Sequence, residues 1–308
     1  MSAAPITSTD WPPYLDKATL DRMLRQWLAE DIGPGDVTTE ATVPPDQQAR
    51  GLFLAKANGV VAGLQVAARV FQLVDPDVRV CWQQADGSRV TAGTLFGTVE
   101  GRARSLLMAE RLALNLLQRM SGIATATRRL VERVRPYGTK VLDTRKTAPG
   151  LRLLDKWAVR LGGGTNHRLG LYDMILIKDN HIVAAGGIRE AIEAARRYRE
   201  QHRLDIPIEI EAQSLEDVDA ILATGGVDWI LLDNFARRLP DGTLNVEPLR
   251  EAVRRIGGRF HTEASGNITL ETAEAIAATG VEAISCGALT HSVQALDLSL
   301  ELSLQAAL

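Results

Sequence analysis

Apolar residues change their spacing near residue 140, and this change divides the chain into two kinds of structure. A helix from residue 18 to residue 30 is predicted by apolar residues on one helix face, namely Leu20, Met23, Leu24, Trp27 and Leu28. Short apolar runs between turns predict strands near residues 52–54, 60–61, 78–82 and 90–99, with a helix at 66–74. The first part of the chain is therefore predicted to be α+β.

A long apolar segment then predicts a helix over roughly residues 104–133. This helix is apolar on most of its faces, which indicates that it is buried between two packed units, within one chain or between chains. Ser121 and Gly122 predict a break in this helix, because glycine is a poor helix former.

From residue 140 onward, short apolar strands alternate with amphipathic helices. The predicted strands are 141–142, 174–177, 206–210, 229–232, 260–262 and 283–285, and the predicted helices are 186–202, 214–224, 246–256, 270–279 and 291–303. Regular β-α alternation is typical of a parallel sheet covered by helices. Because the strands number six rather than eight, we predict an incomplete (open) parallel α/β barrel, with a doubly wound open sheet as the alternative.

The predicted fold class is therefore α/β, with an N-terminal α+β domain and an open barrel. We expect residues 1–17 to form a loose tail and residues 18–125 to form the first domain, joined by a C-terminal helix at 291–308. Residues 126–290 are expected to form the barrel, with an active site at the C-terminal ends of its strands.

The composition is that of an ordinary globular protein, with 45% apolar and 24% charged residues in a chain of 308. A formal net charge of −3 argues against general nucleic-acid binding. The N-terminus lacks the basic and apolar regions of a signal peptide, and no apolar run approaches the ~18 residues that cross a bilayer. We therefore expect a cytoplasmic protein that binds neither membranes nor nucleic acid.

Nearly every predicted barrel strand ends in residues that can do chemistry. In chain order, the strand ends carry Asp143 to Lys146, Lys178, Glu209 with Glu211, Asp233, Glu263 to Asn267, and Gly287. In α/β barrels the strand C-termini form one mouth, so these residues are expected to converge.

The charge distribution indicates what this mouth binds. Residues 143–181 hold seven Lys or Arg and two His against four Asp, in a chain that is acidic overall. Such a cluster predicts an anion pocket, and arginine grips carboxylate or phosphate with two hydrogen bonds. Glu211 and Asp233 suit sugar hydroxyls or Mg²⁺. The glycines at 266 and 287 allow close approach of the backbone to phosphate.

Each residue taken alone has a simpler interpretation. A single Arg or Lys at a strand end is usually a solvated charge. Glu209 and Glu211 share one strand face, so one of them can simply pair with a neighbouring base. The glycines at 162–164 and the segment 265–267 can be ordinary turns. These interpretations do not account for the convergence of all these residues on one mouth.

At these positions the chain resembles the quinolinate phosphoribosyltransferase family, also called nicotinate-nucleotide pyrophosphorylase (carboxylating), of the type II phosphoribosyltransferases. The resemblance rests on EDIGPGDVTT at 30–39, ERLALNLLQRMSG at 110–122, DTRKTAPGLR at 143–152, GGGTNHRLGLYD at 162–173, IKDNH at 177–181, LLDNF at 231–235, EASGN at 263–267 and GALTH at 287–291. These segments extend over nearly the whole chain.

The resemblance implies an enzyme of NAD biosynthesis that joins quinolinate to phosphoribosyl pyrophosphate with Mg²⁺, giving nicotinate mononucleotide, pyrophosphate and CO₂. It implies a homodimer in which Arg111 reaches into the partner's site. The acceptor carboxylates would be held by Arg145, His167 and Arg168, with Lys146 and Lys178 between carboxylate and pyrophosphate. Glu211 and Asp233 would hold the ribose and its metal. The phosphate and the remaining contacts would involve Thr144, Ser265, Gly266, Asn267, Ser285, Cys286 and Gly287.

Three other functions remain open. A paralogue on the same scaffold could use another acceptor, such as nicotinate or a molybdenum-associated ligand. Lys178 at its strand end could form the Schiff base of an aldolase. A sugar-phosphate sensor without turnover is the third alternative.

Overall fold

The structure is a computed structural model that describes residues 11–304. Residues 1–10 of the predicted tail and 305–308 of the predicted C-terminal helix lie outside the described residues. The chain forms two compact units. The first comprises the described parts of residues 1–128, 153–163 and 293–308, and the second comprises residues 129–152 and 164–292. Residues 153–163, expected in the barrel, thus belong to the first unit.

Within the described residues, the α-helices are α1 (Lys17–Ile32), α2 (Val37–Thr42), α3 (Leu64–Val74), α4 (Ala103–Val134), α5 (Arg152–Leu161), α6 (Asp179–Ala185), α7 (Ile188–Gln201), α8 (Leu215–Thr224), α9 (Glu247–Ile256), α10 (Ala273–Ala277) and α11 (Ala288–His291). The strands are β1 (Gln48–Ala55), β2 (Gly59–Val60), β3 (Arg79–Trp82), β4 (Arg89–Val90), β5 (Leu95–Arg102), β6 (Lys140–Leu142), β7 (Ile175–Ile177), β8 (Ile208–Ala212), β9 (Trp229–Asp233), β10 (Arg237–Arg238), β11 (Leu244–Asn245), β12 (His261–Ser265), β13 (Ala283–Ser285) and β14 (Leu298–Leu304). None of the helices within residues 11–304 is long and apolar enough to cross a membrane.

The first unit is built on an antiparallel sheet with the strand order β14-β1-β5-β3. Phe53 of β1 is fully buried in its core. Its ring centroid lies 4.8 Å from that of Trp82, 5.8 Å from that of Phe96 and 6.0 Å from that of Phe71, which belongs to α3. These aromatic contacts bury large apolar areas and join the sheet to its covering helix.

The C-terminal segment is a strand, so the predicted helix at 291–303 is wrong beyond the short α11. β14 pairs antiparallel with β1, and Leu298 faces Ala55 in the register. Leu298 and Leu300 are buried, while Glu301 between leucines is exposed. Residues 298–304 alternate leucine with Ser or Glu, and this period of two is the spacing of a half-buried strand.

Helix α4 runs without interruption through Ser121 and Gly122, so the predicted break is also wrong. The Ser121 hydroxyl accepts the backbone N–H of Ala62 at 2.9 Å. A Cβ atom on Gly122 would overlap the carbonyl oxygen of Gln294. The two small residues therefore let neighbouring backbone approach the helix closely, and tertiary contacts offset the weak helix propensity of glycine.

Two further features of the first unit differ from the prediction. Residues 11–17 are packed rather than loose, because the Trp11 ring lies 5.1 Å from that of Trp157 and Leu15 is buried. Helix α5 is not among the predicted helices, although Leu154, Trp157 and Ala158 show helical spacing and are buried.

The second unit contains a parallel sheet with the strand order β6-β13-β12-β9-β8-β7. From β7 to β13, strands of this sheet that follow one another in the chain lie side by side, and the first strand, β6, pairs with the last, β13. β6 and β7 do not pair with each other among the described residues. A doubly wound sheet would reverse its strand order in the middle. The incomplete barrel predicted from the sequence is therefore confirmed.

The barrel core consists of apolar side chains from the strands and from the helices outside them. All six predicted barrel strands are present, and α7, α8, α9 and α10 lie within or close to the predicted helices. The buried core residues of the strands include Val141, Ile208, Ile210, Ile230, Leu232, Ala264 and Ile284. This packing holds the strand ends, and the residues that follow them, in a defined arrangement.

We predict that Gly122→Ala destabilises the protein by about 1–3 kcal/mol, because the added methyl group meets the Gln294 carbonyl. At an unobstructed helix position, the same change would stabilise by up to about 1 kcal/mol. Urea unfolding measures the difference. The exposed Ala126→Gly change in the same helix is the control for helix propensity alone. A more stable Gly122→Ala variant would contradict the close approach.

Candidate active site

Polar residues at the C-terminal ends of the barrel strands form one connected group. The Lys178 Nζ atom, just after β7, donates a hydrogen bond to the Glu211 Oε2 atom in β8 at 2.7 Å. The charges of Lys178 and Glu211 both act on Asp233 at the end of β9. Asp233 pairs with Ser265 in the register of β9 and β12, and it accepts a hydrogen bond from the Ser265 side chain. Four neighbouring strands thus contribute to one site.

The acidic side of the site consists of Glu211 and Asp233. Glu211 is buried, and its Oε1 atom accepts a hydrogen bond from the Gln213 side chain at 2.9 Å. Partial burial and the charge of Glu211 raise the pKa of Asp233, while Lys178 acts in the opposite direction. Lys178 therefore balances two carboxylates that would otherwise repel each other.

The basic side consists of Arg145 and Arg168, both partly buried. Burial and the charge of Arg145 lower the pKa of Arg168. Arg168 donates to the Met174 carbonyl at 3.3 Å. The buried Arg145 Nε atom has no hydrogen-bond partner among residues 11–304. Two guanidinium groups that repel each other, one with an unused donor, are the arrangement expected of a site that binds an anion.

The two sides belong to the same site. The charge of Glu209 acts on Arg168, and the charge of Lys178 acts on Glu209. Electrostatic interactions thereby connect Arg145, Arg168, Lys178 and Asp233, and Ser265 donates a hydrogen bond to Asp233, although 120 positions separate the first residue from the last. The structure brings together residues that the sequence predicted would converge.

The loops after β6 and β13 meet beside this group. The Lys146 carbonyl accepts a hydrogen bond from the Thr290 hydroxyl at 2.8 Å, and its backbone N–H donates to the Thr144 side chain at 3.0 Å. A Cβ atom on Gly287 would lie 3.0 Å from the Lys146 side chain, so glycine gives this lysine room. Thr144 thus shapes the turn that carries Arg145 and Lys146.

Ser285 and Cys286 are both buried at the end of β13. The Cys286 thiol faces the carbonyl of Ile268 at 3.4 Å, and burial raises the pKa of this thiol. The Cys286 side chain is thus directed at the protein backbone.

The loop after β12 contains two consecutive residues with positive φ. Gly266 has φ 89° and Asn267 has φ 56°, both in the left-handed region. A Cβ atom on Gly266 would overlap the Asn234 side chain. The Asn267 carbonyl accepts the Thr272 hydroxyl at 2.6 Å, which holds the loop closed. Glycine is therefore required at 266 for both its backbone angle and its missing side chain.

His167 is directed toward protein carboxylates rather than toward an open position. Its Nε2 atom lies 3.1 Å from Glu209 and 3.3 Å from Glu263, and only 8% of its side chain is exposed. Its Nδ1 atom accepts the backbone N–H of Arg168 at 2.7 Å. As placed, the ring offers neither nitrogen to a ligand. The expectation that His167 holds a substrate carboxylate is therefore not supported by this geometry.

The location of the ring proton follows from these contacts. Burial opposes a charge on the ring, but Glu209 and Glu263 more than offset it and raise the pKa of His167. The carboxylates thus favour an imidazolium, whereas the Arg168 N–H requires a bare Nδ1 atom. Both forms carry a proton on Nε2, the atom that faces the two carboxylates. Burial and the charge of Glu263 also raise the pKa of Glu209.

His167, Glu209 and Glu263 have ligand atoms within 4.8 Å of one another, a spacing that could hold a metal ion. A metal ligand needs a free Nε2 lone pair and usually carries its proton on Nδ1. Here the Nδ1 atom is an acceptor, so the proton on Nε2 occupies the position that a metal would take. We therefore interpret this cluster as a structural group, in which the His167 ring lies between two buried carboxylates.

Some residues of the site were not assigned a role from the sequence. Asp143 is fully buried and accepts the His167 backbone N–H at 2.9 Å and the Asn166 amide at 2.5 Å. Glu263 completes the His167 cluster. An acid at the end of an apolar strand was the available signal for both, but nothing in the sequence identified their partners.

Arg111 lies in the first unit, in helix α4, and is exposed. Burial raises the pKa of the neighbouring Glu110, and the charge of Arg111 acts against this shift. Arg111 is thus a solvent-facing cation on a largely buried helix.

The fold and the site define a class: an open α/β-barrel protein with paired arginines, paired carboxylates and a glycine loop at its strand ends. The chain belongs to the quinolinate phosphoribosyl transferase family, whose N-terminal domain matches residues 36–121 and whose C-terminal domain matches residues 123–301.

Named relatives and solved structures resemble the chain over nearly its full length. "Quinolinate phosphoribosyltransferase [decarboxylating] 2b, mitochondrial" of Nicotiana tabacum is 48% identical over 96% of this chain and 86% of its own length. "Nicotinate-nucleotide pyrophosphorylase [carboxylating], chloroplastic" of Arabidopsis thaliana has the same identity and coverage. The crystal structure of NadC from Streptococcus pyogenes is 41% identical and superposes with a TM-score of 0.87, covering 94% of this chain and 99% of that one.

We predict that His167→Asn lowers the free energy of unfolding by about 3–5 kcal/mol, because asparagine cannot reach Glu209 and Glu263 and leaves both carboxylates buried without a donor. His167→Gln places an amide N–H near the Nε2 position, so its loss should be smaller. Urea unfolding of both variants measures this order.

His261→Asn is the matched control, because His261 forms an exposed pair with Glu282. Exposed pairs contribute about 1 kcal/mol or less. Equal stability of the Asn and Gln variants at position 167 would show that the contact to the carboxylates is not what stabilises the site.

Proposed function

We propose that this protein transfers the phosphoribosyl group of phosphoribosyl pyrophosphate to quinolinate with loss of CO₂, giving nicotinate mononucleotide and pyrophosphate for NAD biosynthesis. Family membership and the names of its relatives support this reaction. The single structural observation that carries it is the group of charged side chains at the strand ends, in which Lys178 donates to Glu211 at 2.7 Å beside Asp233 and the charge of Arg145 acts on Arg168.

Quinolinate carries two adjacent carboxylates on a pyridine ring. Burying such a dianion costs several kcal/mol per charge unless cations compensate for it. Arg145 and Arg168 can each offer a two-point hydrogen bond, and the Arg145 Nε donor has no partner among the described residues. A monocarboxylate such as nicotinate would leave part of this positive charge uncompensated. The arginine pair therefore favours a dicarboxylate acceptor.

The cosubstrate fits the remainder of the site. Glu211 and Asp233 suit the ribose hydroxyls, while Lys146 and Lys178 suit the pyrophosphate. The loop at Gly266 and the glycine at 287 are the segments that the family resemblance assigns to the 5′-phosphate, and glycine adds no side chain of its own there. His167 acts indirectly in this proposal, by holding the backbone of Arg168.

The transfer step forms a bond between the pyridine nitrogen and ribose C1 and breaks the bond from C1 to the pyrophosphate oxygen, whose electron pair leaves with pyrophosphate. Positive charge develops at the ribose beside Glu211 and Asp233, and negative charge develops on the leaving group beside the lysines. The pyridinium then withdraws electrons from the ring carbon bearing the 2-carboxylate. CO₂ departs, and a proton takes its place on that carbon.

The carboxylates of Glu211 and Asp233 fit Mg²⁺ as hard oxygen donors. Burial and the charge of Glu211 raise the pKa of Asp233, and a bound cation would offset this unfavourable effect on the charged carboxylate. Because Lys178 already bonds to Glu211, Asp233 is the better ligand of the two. Bound Mg²⁺ would neutralise charge on the pyrophosphate as it leaves.

The structure favours this reaction over the two other classes. A Schiff-base aldolase needs an amine free to attack, whereas the Lys178 ammonium is hydrogen-bonded to a buried carboxylate. A sensor without turnover has no evident use for both a basic and an acidic side.

We also propose a homodimer in which the exposed Arg111 enters the partner's site, as the family resemblance implies.

We predict that wild-type protein releases pyrophosphate and CO₂ from quinolinate with phosphoribosyl pyrophosphate and Mg²⁺, and that nicotinate is a poor acceptor. Arg145→Ala and Arg168→Ala should each raise the KM for quinolinate by about tenfold to a hundredfold, since a hydrogen bond to a charged group contributes roughly 1.5–3 kcal/mol. Steady-state rates with varied quinolinate give this constant.

The exposed Arg189→Ala change in α7 is the control for loss of an arginine outside the site. Unfolding curves establish that the fold is retained. Release of pyrophosphate with nicotinate but not with quinolinate would assign the protein to a paralogous activity. An unaltered KM for quinolinate in both arginine variants would rule out the clamp.

Mixing Arg111→Ala subunits with Lys146→Ala subunits should restore activity that neither variant has alone. In a mixed dimer, one site has an intact Lys146 and receives Arg111 from the other chain. With random pairing, about a quarter of the wild-type activity is expected. Recovery is measured after the two variants are unfolded and refolded together. Absence of any gain, with mixed dimers demonstrated by mass spectrometry, would count against donation of Arg111 across the interface.

A further inference from the structure

Asn234 follows Asp233 at the end of β9 and connects two parts of the site. Its φ of 57° is left-handed, a conformation that asparagine tolerates better than most residues. Its backbone N–H donates to the Ser265 carbonyl at 2.9 Å, and its own carbonyl accepts the Arg237 Nε–H at 2.9 Å. The turn is therefore held on both sides, and the side chain is directed back toward the site.

The orientation of the Asn234 amide is set by its two neighbours. Its Nδ2 atom donates to the Asp233 Oδ2 atom at 2.7 Å. Its Oδ1 atom lies where a Cβ atom on Gly266 would be, so it packs directly against the backbone of the glycine loop. The reversed amide would set an oxygen against a carboxylate, which the donor requirement forbids. One side chain thus contacts both the carboxylate and the glycine loop.

Asp233 needs such support because it stands near a like charge. Glu211 acts on it unfavourably, while Lys178 is shared with Glu211. A donor on Oδ2 restrains the carboxylate in one orientation and opposes rotation away from Glu211. In a reaction that depends on positioning, a displacement of about 1 Å can cost roughly a hundredfold in rate.

We propose that Asn234 is a positioning residue for phosphoribosyl transfer: its amide holds the Asp233 carboxylate toward the ribose and seats the Gly266 loop that takes the 5′-phosphate. This inference rests on the proposed function. It names Asn234 as the residue that holds the acidic side of the active site and the phosphate loop together. Asn234 acts through Asp233 and Gly266, so its loss should affect the use of phosphoribosyl pyrophosphate and leave the binding of quinolinate intact.

Two variants separate the side chain from the backbone. Asn234→Gly keeps access to the left-handed conformation and removes the amide, and kcat/KM for phosphoribosyl pyrophosphate should fall by about tenfold to a hundredfold. Asn234→Asp keeps the shape and the backbone preference but replaces a donor with a third carboxylate, so its loss should be larger still. In both variants the KM for quinolinate should stay within about twofold of wild type.

Arg203→Gly is the matched control, because Arg203 also has a left-handed φ of 51° and lies in the loop after α7, outside the proposed site. A role limited to the left-handed backbone predicts wild-type kinetics for both position-234 variants, and that result would overturn the proposal. So would an Asp variant at least as active as the Gly variant. Wild-type protein that releases no pyrophosphate from either acceptor would remove the proposed function itself, a result distinct from an active wild type with unaffected variants.

Discussion

Arg145 and Arg168 place two positive charges close together where water only partly reaches them, and the surrounding site is organised around this repulsion. The charge of Arg145 and the burial of Arg168 lower the pKa of Arg168. Nearby carboxylates, Glu209 first among them, offset part of the cost without neutralising the pair. A site built in this way holds binding energy in reserve for an anion, because the ligand relieves a repulsion that the folded chain sustains.

Sustaining such repulsion requires a rigid frame. The barrel supplies it through short parallel strands whose apolar residues are packed on both sides. Buried polar contacts extend this frame to the loops: Asp143 holds the backbone of His167, His167 holds the backbone of Arg168, and Glu209 with Glu263 holds the His167 ring. A change deep in the barrel can therefore alter the position of an arginine at its mouth.

The acidic side follows the same logic with the signs reversed. Glu211 and Asp233 are like charges on adjacent strands, and Lys178 lies within reach of both. The two halves of the site thus each contain a like-charged pair, and each pair is partly balanced by an opposite charge beside it, Glu209 for the arginines and Lys178 for the carboxylates. This arrangement suits a reaction in which positive charge forms at one atom while negative charge departs from its neighbour.

Much of this molecule could be predicted from its sequence, because local spacing reports local structure. The β-α alternation after residue 140 identified the six barrel strands, and the polar residues after them predicted where a site would lie. A helix was predicted at 291–303, where leucine is frequent. The leucines from residue 298 onward recur at every second position, however, and this segment pairs with β1 as a strand. The low helix propensity of Ser121 and Gly122 predicted a break in helix α4. In the structure, both residues lie in a continuous helix that makes close contacts with neighbouring backbone.

By itself, then, the sequence determined the kinds of element, their order, and which chemical groups follow which strand. Only the tertiary structure decided that Glu209 pairs with His167 while Glu211 pairs with Lys178, and that the Asn234 amide joins Asp233 to Gly266. The physical reason is that pairing depends on register and distance between segments far apart in the chain. Two carboxylates on one strand face are equivalent in the sequence until the fold places a different base beside each.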